Sequence, residues 1–503
     1  MSIFGSIQMA GNTLQAMQIG LHVVGNNIAN ANTPGFVRET AIFKPAPVQK
    51  IGNLTLGLGV EVAGIVQNVD KFVEARLRDA GGDRASADVQ NNVYRDLEAI
   101  LGELTDTDVS TSLSNFFNSV DEVLKQPEEI SIRNLAVQSG RTLTTAINAL
   151  DRRVETVHLD FSQQIENLAI EINNLAEEVR QLNLQIVALE GGGHSGSEAG
   201  GLRSQRNQAV KRLAEIAGVQ VTESEVGSVN VTVGGEFLVF EGTRREVEAA
   251  VVSKDDRRQT TVQFVDNGAV LEVGSGELHG AYAARDEIVG GFLDRIDQFA
   301  ASLAFEFNKV YSQGQGISGY SEVASRVGVN DPDAALDEAG LAFSPVHGEF
   351  ELLVYNDATG LPKTTRIQVD LSGVDGDDSL AALAAKIDAV EFVVAEITND
   401  NRLSIRTESP DSQIAFASDT SGLLAALGIN TFFTGSHAGD LGVNVELLAD
   451  GSKFAAARDG LGVGVENAQR LVSLHDASLD SLSGGSIYSL YDALINETTQ
   501  GAT

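Results

Sequence analysis

The sequence contains no cysteine, few basic residues and no long apolar run. Without cysteine the chain cannot form disulfides, thiolate metal sites or a cysteine nucleophile, and its redox compartment stays undetermined. The 35 basic residues are outnumbered by 70 acidic ones, and the resulting net charge of −35 repels phosphate backbones and anionic lipids. No stretch reaches the roughly eighteen apolar residues of a membrane-spanning helix. We therefore expect neither nucleic acid nor a membrane as a partner.

The chain is also longer than a single hydrophobic core usually supports. Its 503 residues predict two to four domains. Hydrophobic residues (43%) and charged residues (21%) occur at ordinary globular levels, which predicts that most of the chain is folded. The first residues lack the basic segment, the apolar run and the cleavage site of a secretory signal peptide. Any export of the protein is therefore expected to use another route.

The first thirty residues predict a helix with one apolar edge. No Asp, Glu, Lys or Arg occurs before Arg38. An ordinary core helix would also repeat apolar residues at helical spacing. The missing charges instead favour burial against copies of the same chain, where an unpaired charge would be costly. The apolar residues alternate at spacings of four and three, which is the heptad spacing of a coiled-coil seam: Ile3, Ile7, Ala10, Leu14, Met17, Leu21, Val24 and Ile28.

A turn rich in asparagine follows this helix. Asparagine tolerates left-handed backbone, and the Pro34-Gly35 pair stops the helix and redirects the chain. The run Asn26-Asn27-Ile28-Ala29-Asn30 with Thr33, Gly35 and Phe36, directly behind a charge-free heptad helix, resembles the amino-terminal signature of flagellar axial proteins of rod, hook and junction. The resemblance implies an assembly interface made by Ile7, Leu14, Met17, Leu21, Val24, Asn26, Asn27, Ile28, Asn30, Thr33, Gly35 and Phe36.

Later segments resemble the hook-associated protein 1 family. The glycine-bearing run at 57–62, the helix-to-strand block at 202–221, the Ala-Arg-Asp segment at 284–286 and the run at 426–435 all match that family's pattern. The block at 202–221 is unlike rod or hook protein. Segments 37–43 and 54–66 alternate apolar and polar residues around turn residues, which predicts a β-hairpin.

A long helix with its own heptad seam is predicted after a break near Pro127. Two successive spacings of four, from Val157 to Phe161 to Ile165, form a stutter that should locally unwind a supercoil. At about 1.5 Å per residue this helix would be about 70 Å long, which predicts a rod and not an element of a compact domain. The seam consists of Leu143, Ile147, Leu150, Val154, Val157, Phe161, Ile165, Leu168, Ile172, Leu175, Val179, Leu182, Ile186 and Leu189.

These patterns and the resemblance predict an α+β, multidomain, elongated protein with a long helical coiled-coil body and β-rich outer domains. Within the small insert, a hairpin of strands at 349–355 and 364–371, a helix at 379–389 and a second hairpin of strands at 392–397 and 402–407 are predicted. The predicted divisions are a heptad helix lining the inner tube (1–33), a β-hairpin connector (34–80), a helical body (81–217), a β-rich outer domain with a helix at 288–311 (218–318), a small α+β insert (319–420) and a return segment (421–503).

Catalytic and metal-binding patterns are weak throughout. The run at 314–319 matches a dinucleotide-binding fingerprint, but it follows a helix instead of leaving a strand, so a loop is the better interpretation. The seven histidines include no pair at helical ligand spacing. Asp375, Asp377 and Asp378 are expected to cap a helix and not to bind calcium. We predict no catalytic residue, no cofactor and no metal, and no enzymatic activity.

The family resemblance implies a structural subunit of the bacterial flagellum, secreted by type III export and located outside the cell between hook and filament. Implied partners are further copies in a helical ring, hook protein, a second junction protein of the hook-associated protein 3 type and an export chaperone. The chain stops at Thr503, before the second heptad helix and the chaperone site that family members carry, so either the chain is incomplete or the subunit is degenerate. The alternatives are hook protein or another axial protein, a filament-borne surface binding module and a filament-borne enzyme.

Overall fold

A computed structural model describes residues 3–51, 53–102, 108–190, 198–254, 257–356, 361–374, 376–482 and 484–501. Within these ranges, no helix combines the length and apolar character needed to cross a membrane. The α-helices are α1 (Ile3–Ala29), α2 (Lys71–Leu101), α3 (Val109–Lys125), α4 (Ile130–Glu190), α5 (Gly200–Ala217), α6 (Glu277–Tyr282), α7 (Gly290–Tyr311), α8 (Leu380–Asp388), α9 (Leu423–Leu427), α10 (Val445–Ala449), α11 (Glu466–Ser473) and α12 (Ile487–Gly501). A π-helix (Ala283–Val289) joins α6 to α7, and short 3-10 helices occupy Gly451–Lys453 and Asp480–Leu482.

The strands form several small sheets. They are β1 (Glu39–Pro45), β2 (Val48–Ile51), β3 (Leu54–Gly57), β4 (Val60–Gln67), β5 (Gln220–Glu223), β6 (Val229–Val233), β7 (Glu236–Phe240), β8 (Thr243–Arg244), β9 (Val247–Lys254), β10 (Arg257–Phe264), β11 (Glu322–Ala324), β12 (Gly348–Asn356), β13 (Pro362–Val369), β14 (Val393–Ile397), β15 (Leu403–Thr407), β16 (Ser412–Ala417), β17 (Phe433–Thr434) and β18 (Gly442–Val443). All pairings between these strands are antiparallel. Such mixed content confirms the α+β multidomain class.

The chain divides into two compact units. The first contains Met1–Val93 and Val157–Ile288, and the second contains Tyr94–Thr156 and Val289–Thr503. The first unit holds α1, the connector strands β1–β4, α5 and the sheets formed by β5–β10. The second holds α3, α7, the insert and the return segment. Helices α2 and α4 contribute residues to both units.

Helix α4 buries its predicted heptad seam. It contains 61 residues and begins at Ile130, thirteen residues before the predicted seam. The seam residues are buried from Leu143 to Ile186, except that Val157 and Leu175 are half-buried. At the predicted stutter His158 is buried beside the half-buried Val157, because the extra spacing of four rotates the apolar edge. Leu189, the last predicted seam residue, is exposed.

The connector is more elaborate than the single hairpin predicted. Strand β1 pairs with β4, and the shorter β2 and β3 pair with each other inside that loop. A β-bulge lies between Ile42 and Phe43. The nested arrangement follows from two turns, because Pro45 and Pro47 interrupt the first strand before the glycine-bearing second half begins.

The insert consists of two three-stranded sheets around α8. The predicted strands and helix coincide with β12, β13, α8, β14 and β15, whereas β11 and β16 were not predicted. One hydrophobic core joins these elements, and it continues past the predicted boundary at 420 to include Leu423, Leu424, Leu427 and Ile429. The physical module therefore reaches Ile429, because α9 supplies one wall of its core.

Helix α8 is capped differently from the prediction. Ser379 accepts a hydrogen bond from the Ala382 N–H and is the N-cap residue. Asp378 instead accepts a hydrogen bond from the backbone N–H of Asp370 and pairs with Lys386. Asp377 accepts one from the Gly373 N–H, and Asp375 lies outside the described residues. Asp377 and Asp378 thus order the loop before the helix, and Ser379 is the N-cap in their place.

The return segment ends in α12, which has a buried apolar edge. Ile487, Tyr491 and Leu494 are buried, and the Tyr491 ring lies 5.2 Å from the Phe299 ring of α7. Helix α7 therefore covers the seam of α12 within the second unit.

Candidate functional site

The predicted seam of α1 is exposed. The side chains of Ile7, Leu14, Met17, Leu21, Val24 and Ile28 are between 52% and 74% accessible. Phe4 is also exposed, one turn before Ile7. Isolated exposed apolar residues are common on proteins, whereas a contiguous apolar edge of this length is unusual on a monomer.

A second stripe holds α1 on the connector. Ala16 and Val23 are only 2% and 6% accessible. Gly20 lies against the Phe43 ring, where an added Cβ would approach within 3.1 Å. The Asn12 side chain donates to the Leu58 carbonyl at 3.0 Å. These residues also follow helical spacing, but on a different side of α1 from the seam.

Small side chains explain why sequence analysis missed this second stripe. Alanine, glycine and asparagine contribute little to an apolar pattern, so the seam dominates the periodicity. The usable signal was a set of helical spacings of four and three between Asn12, Ala16, Gly20, Val23 and Asn27. Because neither stripe carries a charge, α1 can be covered on one side by the connector and on the other by a partner.

The predicted signature residues form the end of α1 and the following turn. Asn30 donates from its side chain to the Asn26 carbonyl and side-chain oxygens at 3.0 and 2.9 Å. Thr33 donates to the Asn30 side-chain oxygen at 3.3 Å. Gly35 has a φ of 75°, which favours glycine, and Phe36 is half-buried.

Asn27 fastens the end of α1 to strand β1. Its side-chain amide donates to the Glu39 carbonyl at 2.8 Å and accepts from the Glu39 N–H at 2.9 Å. Asn26 donates to the Glu39 carboxylate at 3.4 Å. The two parts of the predicted interface thus differ. The six apolar seam residues are exposed, whereas Asn26, Asn27 and Asn30 form hydrogen bonds within the chain.

A groove of about 660 Å³ runs between the flank of the seam and β1. Met17, Leu21, Val24 and Ile28 form one side, and Phe43 contributes to the other. Its lining is mainly apolar, with Arg38 and Glu39 at one end. An apolar groove beside an apolar edge suits a helix or strand from a partner better than a small polar ligand.

The charge of the chain is distributed unevenly around this site. Residues 1–93 contain seven basic and seven acidic side chains, so the whole net charge of −35 arises from residues 94–503. Like charges on copies of one chain repel when packed together. A neutral amino-terminal segment removes that repulsion where packing is expected.

A second, polar cleft of about 550 Å³ in the first unit has its charges paired internally. Arg203 bonds both Glu190 and Glu223, and Lys71 also pairs with Glu223. Burial acts to raise the pKa of Glu223, but Lys71 and Arg203 outweigh it and lower that pKa. Burial lowers the pKa of Arg206 to about 10. These ion pairs join α4, α5 and β5, and they indicate a structural role.

The described residues contain no group of three or more His, Cys, Asp or Glu side chains placed to hold a metal ion. The fingerprint-like run at 314–319 follows α7 and leads into a loop, where the Ile317 N–H donates to the Ser452 carbonyl at 2.7 Å. It does not open a helix, as a dinucleotide-binding motif requires.

Comparisons with known proteins agree with the sequence motifs. The flagellar hook-associated protein FlgK helical domain matches residues 94–324, and the flagella basal body rod protein family matches residues 7–36. Flagellar hook-associated protein 1 of Salmonella typhimurium is 27% identical over 319 residues, which cover 62% of this chain and 57% of that protein. The chain thus matches less than two thirds of that relative's length. Flagellar hook protein FlgE of the same organism is 37% identical over 90 residues, covering 18% of this chain and 21% of that protein.

A solved structure shares the fold. The flagellar hook junction protein FlgK from Burkholderia pseudomallei superposes with a TM-score of 0.52 at 15% identity, over 85% of this chain and 95% of that one. The family match covers the helical body and the β-rich region, and the rod-protein match covers α1 and its turn. In sequence and in fold, the chain is thus similar to flagellar hook-associated protein 1.

Proposed function

We propose that this protein is a structural adaptor at the junction between the flagellar hook and filament, without enzymatic activity. The observation that carries the proposal is the uncharged helix α1, which exposes Leu14, Leu21 and Ile28 on one edge. Exposed apolar edges of this kind gain stability when a partner covers them, at about 25 cal/mol per Å². A chain that keeps such an edge uncovered is suited to assembly.

Several partners follow from this role. Copies of the chain pack in a ring through α1, with hook protein on one side and a second junction protein of the hook-associated protein 3 type on the other. The protein acts outside the cell after export, for which the family resemblance implies a chaperone. Contacts that repeat head to tail without closing generate helical tubes, which fits a subunit of an axial structure.

Hook protein is the nearest alternative function. The similarity to that protein covers 90 residues, whereas the match to the hook-associated helical domain spans residues 94–324. The rod-protein match at residues 7–36 shows that the amino-terminal helix resembles that of another axial protein, so the match over the body is what favours a junction role.

Purified chain incubated with hooks isolated from a host without its own hook-associated protein 1 tests the proposal. Electron microscopy with gold-labelled chain should show label at the distal hook end. The Leu14→Asp variant should lose this binding, because a carboxylate in a covered apolar seam is strongly unfavourable.

A matched control separates the seam from general surface change. Leu361 is 73% exposed and Leu14 is 70% exposed, and Leu361 lies in the insert. Leu361→Asp should therefore bind hooks normally. Label along the side of the hook, or equal binding by the Leu14→Asp variant, would contradict the adaptor role.

A further inference from the structure

The signature residues at the end of α1 and in its turn contact two neighbouring elements of the first unit, β1 and α5. Asn27 bonds both backbone groups of Glu39, as a neighbouring strand would do. A side chain that satisfies both groups stabilises the strand edge, because backbone groups left without partners are costly when removed from water. The end of α1 is thereby tied to the first residue of β1.

Glu39 and its cross-strand neighbour Gln67 both reach the start of α5. Gln67 donates from its side chain to the Gly200 carbonyl at 2.8 Å and to the Ser204 hydroxyl at 3.0 Å. The Gln67 N–H donates to the Glu198 carboxylate at 2.7 Å. Three hydrogen bonds therefore fix Gln67 of the connector to residues 198–204, which lie just before and at the start of α5.

Gly200 leaves room for the Glu39 carboxylate. A Cβ at Gly200 would fall on the Glu39 Oε1 atom, so the two groups are in direct contact. The N-cap residue of α5, Ala199, makes no side-chain capping hydrogen bond. A carboxylate at this position interacts favourably with the dipole at the start of a helix.

The turn after α1 contacts the same helix farther along. Gln208 of α5 donates from its side chain to the Pro34 carbonyl. A Cβ at Gly35 would displace the Gln208 side chain, and the positive φ of Gly35 also favours glycine at this position.

We propose that Asn27, Glu39, Gln67 and Gln208, together with Gly35 and Gly200, form a clasp that sets the direction of α1 on the body of the first unit. These are positioning residues, and the exposed apolar seam makes the contact with the neighbouring copy. The clasp rests on the proposed adaptor function and divides the signature into two roles. Seam residues bind a partner, whereas Asn27 and Gly35 aim the helix that carries them.

The absence of cysteine allows a direct test with the full chain. Spin labels at Gln18→Cys on α1 and Lys211→Cys on α5 report the distance between the two helices. The labelled parent should give a narrow distribution, and adding Asn27→Ala should broaden it. Exchange of the Glu39 amide hydrogen should rise about tenfold, the consequence expected from losing one hydrogen bond. Hook binding should fall, while the melting temperature of the chain stays unchanged.

Asn32→Ala is the matched control, since Asn32 is exposed in the same turn. It should leave the distance, the exchange and the binding as in the parent. Gln208→Ala provides a second variant that changes only α5, and it should broaden the distribution as Asn27→Ala does. A narrow distribution in both clasp variants would overturn the proposal, as would a broad distribution with normal hook binding.

The Leu14→Asp variant, tested in parallel, separates the two proposals. If Leu14→Asp binds hooks normally, the adaptor proposal fails, whatever the clasp variants do. If Leu14→Asp fails to bind while Asn27→Ala and Gln208→Ala bind normally, only the clasp proposal fails.

Discussion

Helices α1 and α4 carry the same heptad spacing but differ in what covers it. In α4 the seam from Leu143 to Ile186 is almost entirely buried within the chain. In α1 the seam from Ile7 to Ile28 is exposed. The flanking residues also differ. Helix α4 carries many charged side chains, such as Glu177 and Arg180, whereas α1 carries no Asp, Glu, Lys or Arg.

The difference shows that heptad spacing predicts a helix and its apolar edge. It does not predict whether that edge is covered by the same chain or by a partner. Charged flanks suit a helix whose other faces meet water, as those of α4 do. Uncharged flanks suit a helix that is surrounded on assembly, since each buried unpaired charge would oppose packing. The composition of the flanks therefore carries information that the heptad pattern lacks.

The largest expected effect comes from introducing a charge into the covered seam. Leu143 is fully buried in α4. Leu143→Asp should reduce the free energy of unfolding by about 3–5 kcal/mol, because it leaves a cavity and a desolvated polar group. Urea denaturation followed by circular dichroism measures this loss. A loss below about 1 kcal/mol would mean that the α4 seam is not part of the core.

The rates of amide hydrogen exchange should differ between α1 and α4 in the monomer. Helix α1 is held mainly by small side chains on one stripe, so its amides should exchange about a hundredfold faster than those of central α4. Mass spectrometry of peptides from 7–28 and 143–172 gives the comparison. Equal protection in both helices would show that α1 belongs to a stable core.

The same substitution in the exposed seam should have a small effect on stability. Leu14→Asp should change the free energy of unfolding by less than about 0.5 kcal/mol, because Leu14 is already in water. The control is Leu143→Asp measured in the same denaturant series. A loss of several kcal/mol in Leu14→Asp would place α1 in the core and remove the basis for the adaptor role.

A smaller effect concerns the charged flank of α4. Hydrogen bonds from Arg180, then Gln181, lower the pKa of Glu177 from 4.5 to about 2, and Arg244 adds to the effect. The folded-state pKa is depressed, so this stabilisation is present above about pH 4.5 and disappears as the pH falls through about 2. Glu177→Gln should therefore be less stable than the parent near pH 6, and the difference should vanish near pH 2. Urea midpoints at several pH values measure it, and a constant difference would exclude this ion pair as its source.

Much of the fold could be predicted from local pattern. The seams, the break near Pro127 and the insert strands depend on residues close in sequence, so periodicity and turn residues indicate them. Strand β16 was missed because its pairing with β12 joins residues about sixty positions apart, and its own sequence has no strong alternation. The predicted seam begins only at Leu143, because the first turns of α4 expose Ile130 and Leu135 and carry no regular apolar edge.

In the candidate site, too, local features could be predicted from the sequence and contacts between distant residues could not. The exposed seam was predicted because its large apolar residues repeat regularly. The role of Asn27 was not predicted, because it depends on the approach of Glu39 through a turn. The contact between Gly35 and Gln208 depends on residues more than 170 positions apart, which no local pattern contains.

Thiol reactivity tests most directly whether the α1 seam stays uncovered until a partner arrives. Single substitutions Leu14→Cys and Leu143→Cys in this cysteine-free chain report the two seams with one maleimide reagent. In the monomer, Cys at position 14 should react rapidly and Cys at position 143 should not, and after hook binding both should be protected. Protection of position 14 in the monomer, or its continued reactivity in the bound chain, would contradict the account.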